Sequence, residues 1–283
     1  MRKKTVSIPL LDKRALCHKT DDEAAPNFQR RSLLAAAFCF LSGAASAAGE
    51  NALKIGIDAS YPPYTFYNEN KVLSGIDPAL AREACRRLGI MPIFVPIRWD
   101  RKADYFADKS IDCVWSCFTM TGRESEYRWV PYLYSRQVVV VRKESSVQHL
   151  CDLAGKTLAL QSGTRPEQYF TREAEKAPAI KNFMTFKTMQ EAFIAVRSGY
   201  AEATAGHEAV MQRLLQEVPD EYRILDEPLL AVKVGVAFPI NTDRPTVVKQ
   251  LGEALVAMTE DGFIARTAVA FGLSAKVVLP ISS

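Results

Sequence analysis

Cysteine and histidine are the side chains that most often bind metals or act as nucleophiles, and this sequence has few of them. Beyond residue 47 it contains four cysteines and two histidines: Cys85, Cys113, Cys117, Cys151, His149 and His207. None of them has the spacing of a Cys-x-x-Cys pair or a His/Cys metal site. A Gly-rich phosphate loop and a Ser/His/Asp order are also missing. The sequence therefore predicts no metal, no cofactor, and no hydrolase or kinase chemistry.

The cysteines allow three disulfide pairings, and their spacing selects none of them. Cys113 and Cys117 lie in an apolar run that is predicted to be one buried strand. Residues four apart on a strand are too distant to bridge. Free buried thiols are therefore favoured, although the spacing alone leaves the disulfide state open.

Strand-like runs alternate with helix-like runs, which predicts an α/β chain with mostly parallel sheets. The predicted strands are 53–57, 93–95, 111–120, 138–141, 158–160 and 234–238. The first helix is predicted to start with Asp77 as N-cap and Pro78 at its first position, and to end at Gly89. Later helices are predicted around 167–170 and over 188–198 and 247–258.

Composition and charge narrow the class of protein. Of the 283 residues, 48% are hydrophobic and 24% are charged, as in a globular protein. Residues 1–47 hold eight Lys or Arg and four Asp or Glu, which leaves 28 of each sign in the rest of the chain. Because the chain beyond residue 47 has no net charge, we expect no basic surface that binds phosphates and no nucleic-acid partner.

Residues 1–47 have the pattern of an export signal. Arg30 and Arg31 precede the apolar run 33–41, and residues 45–47 (Ala-Ser-Ala) fit a small-x-small cleavage site. The run is shorter than the ~20 residues that a membrane span needs. We therefore predict cleavage near Ala47 and a periplasmic protein. The arginine pair fits twin-arginine export, and a misplaced start codon would explain the long leader equally well.

Four short segments follow one another in a fixed order. They are IGIDASYPPY at 55–64, GID at 75–77, ID at 111–112 ahead of SCFTMT at 116–121, and QSGT at 161–164. In this order they resemble the extracytoplasmic amino-acid-binding proteins of ABC importers, solute-binding family 3. This family includes the histidine and the lysine/arginine/ornithine receptors. The resemblance extends from Leu53 to about Leu273.

The resemblance implies a periplasmic-binding-protein-like type II fold, in which two α/β lobes are joined by two hinge strands and close over a ligand cleft. The first lobe would comprise 53–138 plus 237–283, and the second 143–231. The hinge crossings would be 139–142 and 232–236. The implied function is capture of a free amino acid and its delivery to a membrane permease, by a protein expected to be monomeric.

The resemblance also implies how the ligand carboxylate is bound. An arginine fork matches two carboxylate oxygens, and Arg123 occupies the family's arginine position. The family commonly has Thr-x-x-Arg, whereas this chain has Thr121-Gly122-Arg123, so a glycine turn would have to restore the reach. Arg128 is a weaker alternative.

The resemblance also implies hydrogen-bond donors to the ligand carboxylate at the start of a helix, where backbone amides favour an anion. They are the amides of Gly163, Thr164 and Arg165. The strand before Arg123 is implied to direct hydroxyls or amides into the cleft. The residues concerned are Ser116, Cys117, Thr119 and Thr121.

The cationic groups of the ligand need other partners. His207 aligns with the family's ammonium-binding aspartate, but a neutral imidazole is a poor counter-ion, so the adjacent Glu208 is predicted for this role. His207 would then accept a hydrogen bond or cap the following helix. Tyr61 and Trp99 match aromatic residues that sandwich the side chain, and Asp58 matches an acid that faces it. These residues favour a polar or basic amino acid.

An enzyme on the same fold is the alternative. Exported cyclohexadienyl dehydratases, which act on prephenate or arogenate, resemble these receptors and need a carboxyl group in the cleft as general acid. Glu208 is the candidate for that role. A receptor without catalytic activity is the preferred interpretation over this enzyme.

Overall fold

The computed structural model describes residues 51–173 and 175–279, and the predicted export signal at 1–47 lies outside them. The strands are β1 (Ala52–Ile57), β2 (Ser60–Tyr61), β3 (Thr65–Tyr67), β4 (Leu73–Ser74), β5 (Met91–Pro96), β6 (Cys113–Val114), β7 (Tyr127–Arg142), β8 (Thr157–Gln161), β9 (Asn182–Phe186), β10 (Ala203–His207), β11 (Tyr222–Ile224) and β12 (Leu230–Pro239). The α-helices are α1 (Ile76–Leu88), α2 (Lys102–Ala107), α3 (Arg165–Arg172), α4 (Met189–Arg197), α5 (Glu208–Leu215), α6 (Pro245–Glu260) and α7 (Phe263–Ala270).

One large sheet runs through the molecule in the order β5-β1-β6-β12-β7-β10-β8-β9, with β11 paired to β7. At one end β1 is parallel to β5 and β6, and at the other β8 is parallel to β9 and β10. In the centre β7 and β12 pair antiparallel along most of their length. The prediction of parallel pairing therefore holds at the two ends and fails in the centre, because the chain crosses the middle in opposite directions.

Helices cover both ends of the sheet and give two α/β lobes. Helices α1, α6 and α7 pack together in the β1 lobe, while α4 packs on β8 and α5 on β10 in the other. The predicted strand 138–141 lies within β7 and is buried throughout, as its unbroken valines indicated. Each fully buried valine contributes roughly 1.5–3 kcal/mol to stability. The numbered limits of the lobes remain a prediction, since β7 and β12 pass from one lobe to the other without a break.

The start of helix α1 differs from the prediction. Its N-cap is Gly75 and not Asp77, which is the second helical residue. The Asp77 carboxylate instead accepts hydrogen bonds from the Cys117 amide at 2.7 Å, the Tyr132 hydroxyl at 2.6 Å and the Thr65 hydroxyl at 3.2 Å. A buried carboxylate with these tertiary partners cannot also cap its own helix. The predicted helix end at Gly89 is confirmed.

The predicted strand 111–120 is also much shorter than expected. Only Cys113–Val114 pairs as a strand with β1. The chain leaves the sheet at Cys117, whose φ of 46° is incompatible with a strand. It touches the sheet again where Thr119 bridges Val234. The residues Ser116, Cys117 and Thr119 of this turn are buried.

The four cysteines of this region are free, which agrees with the preference for free thiols. Cys85, Cys113 and Cys117 are buried, and Cys151 is exposed. No helix within 51–173 or 175–279 has the length and apolar character to cross a membrane. Over the same ranges, no three His, Cys, Asp or Glu side chains are grouped so that they could bind a metal ion.

Candidate functional site

A narrow cavity lies between the two lobes, where the carboxyl ends of several strands meet. Ten of the predicted site residues line it: Asp58, Tyr61, Trp99, Ser116, Cys117, Thr119, Arg123, Thr164, Arg165 and His207. The predictions did not include five further lining residues: Gln137, Gln161, Pro166, Ala205 and Gly206. The remaining predicted residues, Thr121, Gly163 and Glu208, do not line it.

Direct contacts between the lobes close the cavity. The Trp99 indole N–H donates to the Gly163 carbonyl at 3.1 Å. Arg165 Nε donates to the Thr121 carbonyl at 3.1 Å in the opposite direction across the cleft. Gly163 and Thr121 thus take part in closure through their carbonyl groups.

Arg123 is a buried cation in this cavity, with 7% of its surface exposed. Its Nε donates to Gln168 Oε1 at 3.0 Å, and its terminal nitrogens reach the carbonyls of Thr119 at 3.4 Å and Gly163 at 3.3 Å. Burial lowers its pKa to about 10, so it remains charged at neutral pH. Among the described side chains no carboxylate forms an ion pair with it. A buried unpaired guanidinium creates a strong site for an anion.

Asp58 is the carboxylate of the cavity and is 8% exposed. It accepts hydrogen bonds from the Ser60 amide at 3.0 Å and the Ser60 hydroxyl at 2.5 Å. Gln161 Nε2 donates to its other oxygen at 2.9 Å across the cleft. Ser116 Oγ accepts a hydrogen bond from the Asp58 amide at 3.0 Å, which fixes the backbone at Asp58. This arrangement holds a negative charge ready for a cationic group.

His207 lies buried at the end of β10, and both of its ring nitrogens lie near polar groups. Its Nδ1 is 2.8 Å from Ser135 Oγ, and its Nε2 is 3.1 Å from Thr119 Oγ1 and 2.9 Å from the Gln137 amide nitrogen. Burial, and secondly the charge of Arg123, lower its pKa to about 3. The ring is therefore neutral. Of the two predicted alternatives, the structure supports the hydrogen-bond acceptor, since the ring makes no cap bond to helix α5.

Glu208 occupies a different position from the predicted one. It is the first residue of α5, and its carboxylate forms an ion pair with Arg136. Both residues line a second, open cavity, together with Thr121. The Thr121 hydroxyl accepts a hydrogen bond from the Lys233 amide at 2.9 Å. Because Glu208 directly follows His207 where strand becomes helix, the two side chains point to different cavities. The prediction that Glu208 meets the ligand's ammonium group is not supported.

In the loop before α3, one of the three predicted amide donors already has a partner, and the roles of the Thr164 and Arg165 amides stay a prediction. The Gly163 amide donates to Glu167 at 2.7 Å, so it is not available to a ligand in this arrangement. The Thr164 hydroxyl donates back into its own loop. Arg165 Nη1 pairs with Glu173 at 2.5 Å, which neutralises its charge within the second lobe. Thr164 and Arg165 remain at the cavity wall.

Two glutamines that the predictions omitted complete the polar lining. Gln161 binds Asp58 as described, and Gln137 in β7 contacts both Thr119 and His207. The Gln137 carbonyl oxygen is buried without a partner among the described residues. A polar residue directly before a run of four valines was the sequence signal that could have identified Gln137.

Two lobes that close over a charged cavity define a protein that encloses a small solute. The chain belongs to the bacterial extracellular solute-binding proteins, family 3, whose model matches residues 53–272. This match covers most of the chain and confirms the family that the ordered segments resemble.

Individual relatives agree with this assignment. ABC transporter arginine-binding protein 1 of Escherichia coli K12 is 24% identical over 238 residues, 82% of this chain and 95% of that protein. The histidine-binding periplasmic protein of the same strain is 26% identical, over 81% and 90% of the two chains. A mutant of ArgBP from T. maritima has a similar structure, with a TM-score of 0.71, 27% identity, and coverage of 80% and 97%. These likenesses confirm the type II periplasmic-binding-protein fold.

Proposed function

We propose that this protein binds a free amino acid outside the cytoplasm and delivers it to the membrane permease of an ABC importer. The observation that carries this proposal is Arg123, a buried guanidinium that faces a closed cavity without a carboxylate partner. Relatives named for arginine and histidine binding support an amino acid as the ligand class.

The cavity offers complementary charges for a zwitterion. The ligand carboxylate would bind Arg123, whose donors suit two oxygens. A cationic group of the ligand would bind Asp58, which accepts hydrogen bonds from both lobes. Since these residues reach the ligand from the β1 lobe while Arg165 and His207 close the other side, binding would favour the closed state.

The proposed location and assembly follow from the leader and the family. Export with cleavage near Ala47 would place the protein in the periplasm, where a permease could receive the closed form. We propose a monomer that needs neither metal nor cofactor. The family's description as extracellular solute-binding proteins supports this location.

We also propose that the protein is not an enzyme. The dehydratase alternative relied on Glu208 as general acid, and Glu208 instead forms an ion pair with Arg136 beside another cavity. No other observation favours that alternative.

Calorimetric titration of the purified protein with the twenty amino acids tests the proposed function. We expect micromolar or tighter binding of at least one of them. Arg123→Ala should weaken this binding by at least about 100-fold, because removing one partner of a buried ion pair costs about 3–5 kcal/mol.

Arg128→Ala is the matched control, because Arg128 is exposed and only donates to the Ile240 carbonyl. We expect it to bind like the unaltered protein. No binding of any amino acid, or undiminished affinity in Arg123→Ala, would disprove the proposal.

A further inference from the structure

The charges in the cavity wall can be counted. Four of its described lining residues carry a carboxyl, guanidinium or imidazole group: Asp58, Arg123, Arg165 and His207. Arg165 is paired with Glu173 and contributes no net charge. His207 accepts from the Gln137 amide and has no carboxylate beside it, so it is neutral. One cation and one anion remain.

Among the described residues, Asp58 is the one carboxyl group that lines the cavity, and the nearby carboxyl groups lie outside its wall. Glu126, exposed beside Arg123, lines a neighbouring pocket. Asp77, behind Cys117, is fully buried and bound to three donors. Glu167 holds the Gly163 amide, and Glu208 is paired with Arg136. A ligand with a second cationic group would therefore find no second carboxylate in the wall.

A second cationic group of the ligand would also lie near positively charged side chains of the protein. Lys102 donates to the Gly163 carbonyl at 3.2 Å and lies 4.8 Å from the centre of the Trp99 ring. Arg123 itself lies in the same part of the cleft. The local field thus opposes an additional positive group and does not replace the missing carboxylate.

We propose that the ligand is an amino acid with an uncharged, polar side chain, because the closed cavity balances one carboxylate and one ammonium group and no more. This inference rests on the proposed function and narrows its ligand class. The unpartnered Gln137 carbonyl oxygen supplies a neutral acceptor for a hydroxyl or amide of such a side chain. The site would thereby differ from that of the relatives named for arginine.

The preference can be measured with ligands that differ only in charge. L-citrulline and L-arginine have nearly the same shape, but only arginine carries a charged side chain. By calorimetry, we expect citrulline to bind at least about tenfold more tightly than arginine, because burying an unpaired cation costs several kcal/mol. Among all amino acids, the tightest ligand with an uncharged side chain should bind at least about tenfold more tightly than arginine, lysine or ornithine.

Position 207 provides a gain-of-function test. His207→Asp adds a carboxylate to the wall and should raise the affinity for arginine relative to citrulline by at least about tenfold. His207→Asn adds no charge and should leave that ratio near its original value. The ratio is measured on one variant at a time, so a general loss of stability does not alter it.

The outcomes separate this inference from the proposed function. If arginine, lysine, ornithine, an acidic amino acid or an apolar amino acid proves the tightest ligand, the inference is wrong while the receptor function stands. An unchanged ratio in a folded His207→Asp protein would also contradict it. If no amino acid binds, both proposals fail.

Discussion

At the scale of the residue, the neutral imidazole of His207 is important for the charge balance of the cavity wall. A histidine enclosed by Ser135, Thr119 and Gln137 close to a buried arginine loses its charge, because burial penalises the charged ring and protonation would place a second cation near the arginine. Its hydrogen bonds still fix the orientation of the neighbouring side chains. The histidine thus shapes the polar wall without contributing charge.

This neutral state predicts a pH dependence of stability. The folded pKa of His207 is about 3, below the value of 6.5 for a free histidine. The stability it contributes is therefore present above pH 6.5 and is lost as the pH falls towards 3. Urea unfolding at pH 7.5 and 4.5 should show that His207→Gln loses about 2–3 kcal/mol less stability than the unaltered protein over this interval.

His149→Gln is the control for this measurement, since His149 is exposed. It should lose as much stability on acidification as the unaltered protein. Equal losses in both variants would show that His207 is not held neutral by the fold.

At the scale of the element, helix α1 depends on a glycine that the sequence pattern did not single out as a cap. Gly75 has a φ of 119°, and a Cβ atom there would lie 2.2 Å from the Tyr64 carbonyl oxygen. That carbonyl accepts the Asp77 amide in the first turn, so it cannot move freely. Gly75 therefore links the start of α1 to the loop beside the cavity.

We expect Gly75→Ala to destabilise the protein by about 3 kcal/mol or more, because a steric clash adds to the backbone strain. Gly89→Ala, at the other end of α1, also has a positive φ of 65°, but a Cβ atom there would have no neighbour within 4 Å. It should cost only about 1–2 kcal/mol. Urea denaturation of both variants gives the comparison, and equal losses would contradict the steric argument.

At the scale of the whole molecule, closure of the two lobes joins the charges of the site. The bonds from Trp99 to Gly163 and from Gln161 to Asp58 exist only when the lobes meet. In the closed state Arg123 is buried without a carboxylate partner among the described residues, which costs free energy. Under the proposed function, we expect a ligand carboxylate to remove that cost and shift the population towards closure.

Small-angle X-ray scattering should therefore show a smaller radius of gyration when the protein is saturated with its tightest amino acid. Arg123→Ala, at the same ligand concentration, should show no such contraction, because it lacks the group that couples binding to closure. An identical radius with and without ligand in the unaltered protein would refute this coupling.

The amino-acid sequence was enough to predict the family, the alternation of strands and helices, and ten of the fifteen residues that line the cavity. Ordered local segments such as IGIDASYPPY and QSGT carry this information, because the residues at a strand end and in the following loop are adjacent in the chain. For the same reason the end of α1 at Gly89 and the burial of 138–141 were predictable.

Which charged side chains lie close together depends on the folded arrangement of the chain. Glu208 and His207 are neighbours in sequence, yet Arg136 attracts one to another cavity while the other faces the cleft. Arg165 loses its charge to Glu173, and Gln137 enters the wall from a central strand. Electrostatic balance depends on distances between groups far apart in the chain, and local sequence patterns do not specify those distances.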